Sequence, residues 1–364
     1  MRLSRLPSPL FTALLSSALL LTASACDGDD GETSTTDDSE ETEGDTEEDP
    51  MGTTTESAPE CTMDADCGGG EVCSSGACVP DASNWAVGDA GTVLRVSPDG
   101  GQQHPLGLDV DIHAITCHGL TMAWFVGEGG VVGFTDDAGD SWTTEVITSA
   151  TLRDVAATEP LRVAAVGDDG ALLISDNGGA FQAIAGASGT LRGVDVSPFR
   201  VIAVAEDGVI WRHEAGDPAA AQTGVAAAAL HAVDFGDHGP YGAAVGAAGT
   251  MLWSDDGGVS WTPQALPTDA DLFAVQVSMN GDAWVAVGQD GVVVRKDSSN
   301  EIAVEHPVAV DLLALHLSTG GHGTIVGRQG AALRTTDAAR TVTPIATGVT
   351  VDITGVDAVG DLHW

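Results

Sequence analysis

Basic residues are scarce in this chain of 364 residues, with 13 Lys and Arg against 54 Asp and Glu and a formal net charge of −41. Lys296 is the single lysine and Tyr241 the single tyrosine. A surface so short of cations repels phosphate backbones, which excludes nucleic acid as a partner. The same shortage excludes attachment to anionic lipid through a basic patch. Helical periodicity is missing too, because apolar residues nowhere recur at a sustained 3.6-residue spacing. Glu is rare where Asp is not: of the 35 acids from residue 84 onward, 28 are Asp and 7 are Glu. Asp competes poorly in helices and well in turns, so the pattern predicts many turns.

The N-terminus predicts export. Arg2 and Arg5 precede an apolar stretch from Leu10 to Leu21, followed by Ala23-Ser24-Ala25-Cys26. The stretch is too short to span as a mature helix and reads as a signal peptide over 1–25. The small residues before Cys26 resemble a bacterial lipobox, with Ala23 where Leu is usual. That resemblance implies acylation of Cys26 and a lipid anchor in the cell envelope; an ordinary A-x-A site would cut the same bond and release a secreted protein. The membrane is then touched only through the lipid. Residues 27–60 carry 15 acids, no Lys or Arg and no aromatic. Such a segment cannot bury enough apolar surface to offset ordering entropy, so 26–60 is expected to be a disordered, self-repelling tether after the anchor.

Cys61, Cys67, Cys73 and Cys78 lie within 18 residues as C-x5-C-x5-C-x4-C. An even count in an exported chain favours two disulfides over zinc, with three pairings open. The spacing also lacks the C-x2-C knuckles of structural zinc sites. Residues 61–80 resemble the short Dickkopf-type Cys-rich modules of bacterial surface lipoproteins. Cys117, in an apolar run, reads as a buried inert thiol.

A repeat of about 40 residues organises the rest. The motif apolar-Val-Gly-x-x-Gly has its first Gly at 88, 127, 167, 246, 288 and 327, with Ala205 in a degenerate seventh copy. Each unit continues through a short apolar run, a Gly/Asp turn and a run of the type Leu-x-Ala-Val, as in Leu230-His231-Ala232-Val233. Four short strands per unit and seven units predict an all-β seven-bladed propeller over 84–364. The Leu-x-Ala-Val strand is taken as the innermost, A, and the Val-Gly strand as B. The repeats begin on a B strand at Asn84 and end on a spare A strand at Ile353–Val359. The C-terminus should therefore supply the inner strand of the first blade and close the ring, leaving no open edge. A monomer is expected.

Ser254-Asp255-Asp256-Gly257-Gly258-Val259-Ser260-Trp261 and Thr135-Asp136-Asp137-Ala138-Gly139-Asp140-Ser141-Trp142 resemble the Asp-box of BNR-type repeats. Joined to V-G-x-x-G, they resemble the propeller of photosystem II assembly and stability factors and their non-photosynthetic bacterial relatives. The resemblance implies structural roles for Asp136, Asp176 and Asp255 at the turns and for Trp142 and Trp261 against the blades. Ser175–Gly179 and Thr336–Ala339 look like worn copies.

Asp-boxes also occur in sialidases, which need an Arg triad and a Tyr–Glu pair. Tyr241 stands in a loop, and Ser197-Pro198-Phe199-Arg200 does not replace the Phe-Arg-Ile-Pro signature. No G-x-S-x-G, H-E-x-x-H or EF-hand pattern occurs, and the His residues lack metal-ligand spacing. No catalytic residue, metal site or cofactor is therefore expected. Two features remain as binding surfaces. The B–C loops carry Asp89, Glu128, Asp168, Asp169, Glu206, Asp207 and Asp290, a rim that could attract a cation or a cationic partner. The residue after the first Leu or Ile of each A strand is His113, Arg153, Arg192, His231, Phe273, Leu313 or Thr354. Four consecutive blades thus place a cationic or titratable side chain, His113, Arg153, Arg192 and His231, at one level of the channel. Salt bridging to the rim or to Asp154 and Asp195 is the plainer role for the arginines. In the assembly factors an Arg-rich patch is held to grip a client protein. The expected function is a non-enzymatic scaffold binding a protein or peptide; a divergent carbohydrate-active or carbohydrate-binding propeller is the alternative.

Overall fold

Seven four-stranded antiparallel sheets follow one another along the chain in the computed structural model. It describes residues 71–74, 77–80 and 84–358, except 120, 160, 215, 237 and 238. The expected signal peptide and tether, Cys26, Cys61 and Cys67 lie outside those residues. Glu71–Ser74 and Ala77–Pro80 pair as a hairpin whose register sets the backbone of Cys73 opposite that of Cys78.

The sheets are the blades of a seven-bladed propeller. Blade 1 has the strand order Ile353–Ala358, Asn84–Gly88, Thr92–Ser97, Gly100–Gln103. The C-terminal strand thus closes the ring from the inside, with Trp85 opposite Asp357 and Ala86 opposite Val356. Blades 2 to 7 span 112–146, 152–183, 191–222, 230–263, 272–305 and 312–344, each in the simple order A-B-C-D. The second strands are buried and nearly all apolar on both faces because each blade is covered on both sides. The core is therefore interblade: Val285 and Val293 of blade 6 pack with Leu312, Ile325 and Leu333 of blade 7. Each such side chain removed from water contributes roughly 1.5–3 kcal/mol.

The Val-Gly-x-x-Gly motif is the B–C turn. A Cβ on Gly167 would overlap the carbonyl oxygen of Thr151, just before the A strand, so only glycine permits that approach. Gly170 has φ +72, and Asp169 before it is also left-handed at φ 57. In blade 4, Ala205 stands in the first-glycine place and Glu206 N still donates to Thr190 O at 3.1 Å.

The Asp-box turns differ from expectation by one residue. Asp137, not Asp136, accepts from Ser141 N at 2.9 Å and Ser141 Oγ at 2.6 Å, and Thr135 Oγ1 donates to it at 2.7 Å. Asp256, not Asp255, accepts from Val259 N at 3.0 Å and Ser260 N at 2.9 Å. The turn needs its carboxylate two residues after the Ser or Thr, where it can reach the amides ahead. Asp176 therefore falls outside the network and instead accepts Arg162 Nε at 2.6 Å. The blade 7 copy is intact despite lacking the Gly pair: Asp337 accepts from Thr341 N at 2.8 Å while Ala338 and Ala339 take φ 54 and 58. Replacing Asp256 by Ala should lower stability by roughly 1–2 kcal/mol in a urea titration, as loss of a capping side chain does. Asp255→Ala should cost less than half of that.

Candidate functional site

A β-bulge falls at the same place in all seven blades. The A–B register skips one residue between Ile112 and Ala114, Leu152 and Asp154, Leu191 and Gly193, and Leu230 and Ala232. It does so again between Leu272 and Ala274, between Leu312 and Ala314, and in blade 1 at Thr354. The skipped residue has no ladder partner, and a bulge re-aims its side chain. The skipped residues are His113, Arg153, Arg192, His231, Phe273, Leu313 and Thr354, the seven positions singled out by spacing. All seven line one cavity of about 490 Å³ at the channel mouth. Four consecutive positions of its wall, His113 to His231, are cationic or titratable; Phe273 and Leu313 are apolar, and Thr354 is polar again.

The arginines are held, and by the rim rather than by Asp154 or Asp195. Arg153 Nε and Nη2 donate to the two carboxylate oxygens of Asp168 at 2.6 and 2.9 Å. Arg192 pairs with Glu206. The Arg153 guanidinium holds the Asp168 carboxyl below its usual range. Burial first, then the Arg153 charge, push the His113 imidazole down. His231 Nδ1 lies 2.9 Å from Leu272 O. The arc therefore offers hydrogen-bond donors in fixed positions while much of its positive charge is cancelled on the spot.

Further acids stand just before the A strands. Asp111, Asp271, Asp311 and Asp352 accept the backbone N–H of Ala90, Ala248, Asp290 and Gln329, each the left-handed residue of a neighbouring B–C turn, at 2.8–2.9 Å. Arg328 bridges Asp311 and Asp352. The rim carboxylates are thus partly structural. Burial, and then crowding by Asp111 and Asp352, raise the Asp89 carboxyl. Among the described residues no group of three or more His, Cys, Asp or Glu is placed to hold a metal ion.

Deeper in the channel is a polar ring that the sequence reading passed over. Asp154, Asp195, Asp234, Gln276, His316 and Asp357 line a cavity of about 190 Å³. Each reaches across to the next inner strand. Asp154 accepts Val194 N at 2.8 Å, Asp234 accepts Val277 N at 2.7 Å, and Asp357 accepts Cys117 N at 2.7 Å. Gln276 both accepts from Leu317 N and donates to Leu317 O, and His316 Nδ1 lies 2.6 Å from Asp357. Asp195 accepts the backbone N–H of Phe235. Burial pushes the carboxyls of Asp154 and Asp195 up to about 7 and that of Asp234 up to about 8. The signal in the sequence was a polar residue four places after the first Leu or Ile of most A strands, as in Leu-x-Ala-Val-Asp; Asp154 alone stands two places after its Leu152.

No protein-family model and no curated protein matches the chain. Solved structures share its fold. The WD40 β-propeller domain of Doa1 is 13% identical with a TM-score of 0.59, covering 76% of this chain and 91% of its own. YCF48 from Cyanidioschyzon merolae is 18% identical with a TM-score of 0.56, covering 69% of this chain and 89% of its own. YCF48 bound to D1 peptide is 18% identical with a TM-score of 0.53, covering 65% and 82%.

Proposed function

We propose that the chain is an exported, lipid-anchored interaction scaffold that captures a segment of a protein or peptide at the bulge-lined mouth. The observation that carries this reading is the convergence of seven bulged side chains on one cavity of about 490 Å³. A wall that mixes polar side chains with Phe273 and Leu313 suits a short segment with mixed side chains. Because Asp168 and Glu206 cancel much of the arginine charge, recognition rests on placed donors more than on attraction at a distance. The fold shared with YCF48, which has been seen with a D1 peptide, supports a peptide as the ligand. Cys26 and the acidic segment after it would carry the propeller away from the membrane.

The test is crosslinking followed by pull-down from membranes. Arg153→Ala with Arg192→Ala should lose the partners that the parent retains, while the melting temperature shifts by only a few degrees because both side chains are half-buried at a rim. An unchanged set of partners would count against the reading. Turnover on a panel of glycosides would replace it with the carbohydrate-active alternative.

A further inference from the structure

The two cavities of the channel share part of their walls. Ile115, Val233, Val275, Leu315 and Val356 line both the mouth of about 490 Å³ and the ring cavity of about 190 Å³, and so does Asp154. Each of the five aliphatics stands three residues after the first Leu or Ile of its inner strand. The bulged residues come one place after that Leu or Ile, and Asp195, Asp234, Gln276, His316 and Asp357 come four places after it. A strand rises about 3.3 Å per residue, so these offsets are levels in the channel. From the mouth inward they run through hydrogen-bond donors, an aliphatic collar and then carboxylates.

One group of the ring is incomplete. Asp195 is 7% exposed, and its Oδ2 is buried with no hydrogen-bond partner. The other oxygen of the carboxylate takes the Phe235 N–H. An unsatisfied buried acceptor costs free energy until a donor reaches it. The Arg200 charge pulls the Asp195 carboxyl down, yet burial outweighs it and leaves the group at about 7. Burial raises Asp154 and Asp234 as well, to about 7 and 8, so the ring as a whole is short of positive charge.

The walls select what could supply that charge. Among the described residues no three acids, His or Cys are placed to hold a bare metal ion. A guanidinium is best held by two oxygens side by side. Asp195 offers one, and both oxygens of Asp154 are taken, by Val155 N and Val194 N. An ammonium is a compact charge with its own donors, carried by lysine on a methylene stem that packs against apolar surface. That order, stem then charge, matches collar then ring. The mouth does little to repel it, because Arg153 and Arg192 are paired with Asp168 and Glu206. We propose that the segment captured at the mouth inserts one lysine side chain through the aliphatic collar and sets its ammonium against Asp195 Oδ2. This lysine seat rests on the proposed capture at the mouth and names the side chain that anchors it.

Capped Gly-Lys-Gly, Gly-Arg-Gly and Gly-norleucine-Gly test it by isothermal titration against the full chain at pH 8. Gly-Lys-Gly should bind at least about tenfold more tightly than either of the others. Asp195→Asn keeps an acceptor for Phe235 N and removes the charge, and should weaken Gly-Lys-Gly by about tenfold or more. Asp217→Asn makes the same change of charge at an exposed position of the blade 4 C–D loop and should leave binding unchanged. If Asp195→Asn fails to fold, the comparison of lysine with norleucine alone decides. Failure of Gly-Lys-Gly to bind, or equal binding of the norleucine peptide, would overturn the seat, and equal binding of Gly-Arg-Gly would overturn the lysine. Undiminished binding by a folded Asp195→Asn variant, or an equal loss in Asp217→Asn, would overturn the location. Pull-down from membranes keeps this apart from capture at the mouth. If Arg153→Ala with Arg192→Ala loses partners that Asp195→Asn retains, the lysine falls and the mouth stands. If the arginine variant retains every partner while the peptide results hold, the mouth falls and the ammonium site stands.

Discussion

A chain ending at Asp352 is expected not to fold at 25 °C. It lacks the strand Ile353–Ala358, the inner strand of blade 1. Ile353 and Val356 are buried against blades 7 and 1, and together their burial contributes roughly 3–6 kcal/mol. The loss does not stop there. The Asn84–Gly88 strand would become an unpaired edge facing the channel, Cys117 N would lose the Asp357 carboxylate, and the ring would stay open between blades 7 and 1. A net stability of about 5–15 kcal/mol does not survive a loss of that size. Near-ultraviolet circular dichroism and limited proteolysis should report an unfolded or aggregating chain, with a chain ending at Gly360 as the folded control. A cooperative melt within a few degrees of that control would refute the expectation.

The second large effect is an inverted pH dependence. Burial holds Asp154, Asp195 and Asp234 protonated to about 7, 7 and 8, whereas in the unfolded chain they ionise near 3.8, as a free aspartate does. Between those limits the folded state binds more protons than the unfolded one. Stability is therefore fullest at the acid end and falls as pH rises from about 4 to 8, by up to about 1.4 kcal/mol per pH unit for each group. Asp195 and Asp357 face Asp234 and push its carboxyl further up, while His316 pulls it down. The turn carboxylates Asp137 and Asp297, held at about 2 by hydrogen bonds, act in the opposite sense but only at much lower pH. The melting temperature should thus be several degrees higher at pH 5 than at pH 8. Asp234→Asn keeps an acceptor for Val277 N and removes the charge. It should raise the melting temperature at pH 8, with a gain that shrinks toward pH 5. A melting temperature that rises from pH 5 to pH 8, or a gain independent of pH, would sink the account.

Blade number and strand order were legible because the Val-Gly-x-x-Gly turn, counting its degenerate copy, recurs seven times along the chain. Gly-x-x-Gly marks one turn and the Asp-box another, and the unmatched strands at the two ends can only pair with each other. The channel mouth was legible for the same reason, since the second residue of each A strand stands at a countable offset. Side-chain partners were not. Arg153 and Asp154 are neighbours in sequence, yet the bulge sends Arg153 to Asp168 across the turn while Asp154 turns to Val194 in the next blade. The Asp-box was placed one residue early because two Asp stand side by side and only the geometry of the turn tells them apart.

The bulge carries one more consequence. A residue outside the ladder owes nothing to the strand it interrupts, and here the same loophole is cut seven times around one rim. Changing any of those seven letters alters the lining of the mouth and leaves the sheets and cores almost untouched. If the mouth captures a partner as proposed, such a molecule moves from one client to another by single steps without passing through an unfolded ancestor. Its relatives would then be expected to agree in glycines and disagree at positions 113, 153, 192, 231, 273, 313 and 354.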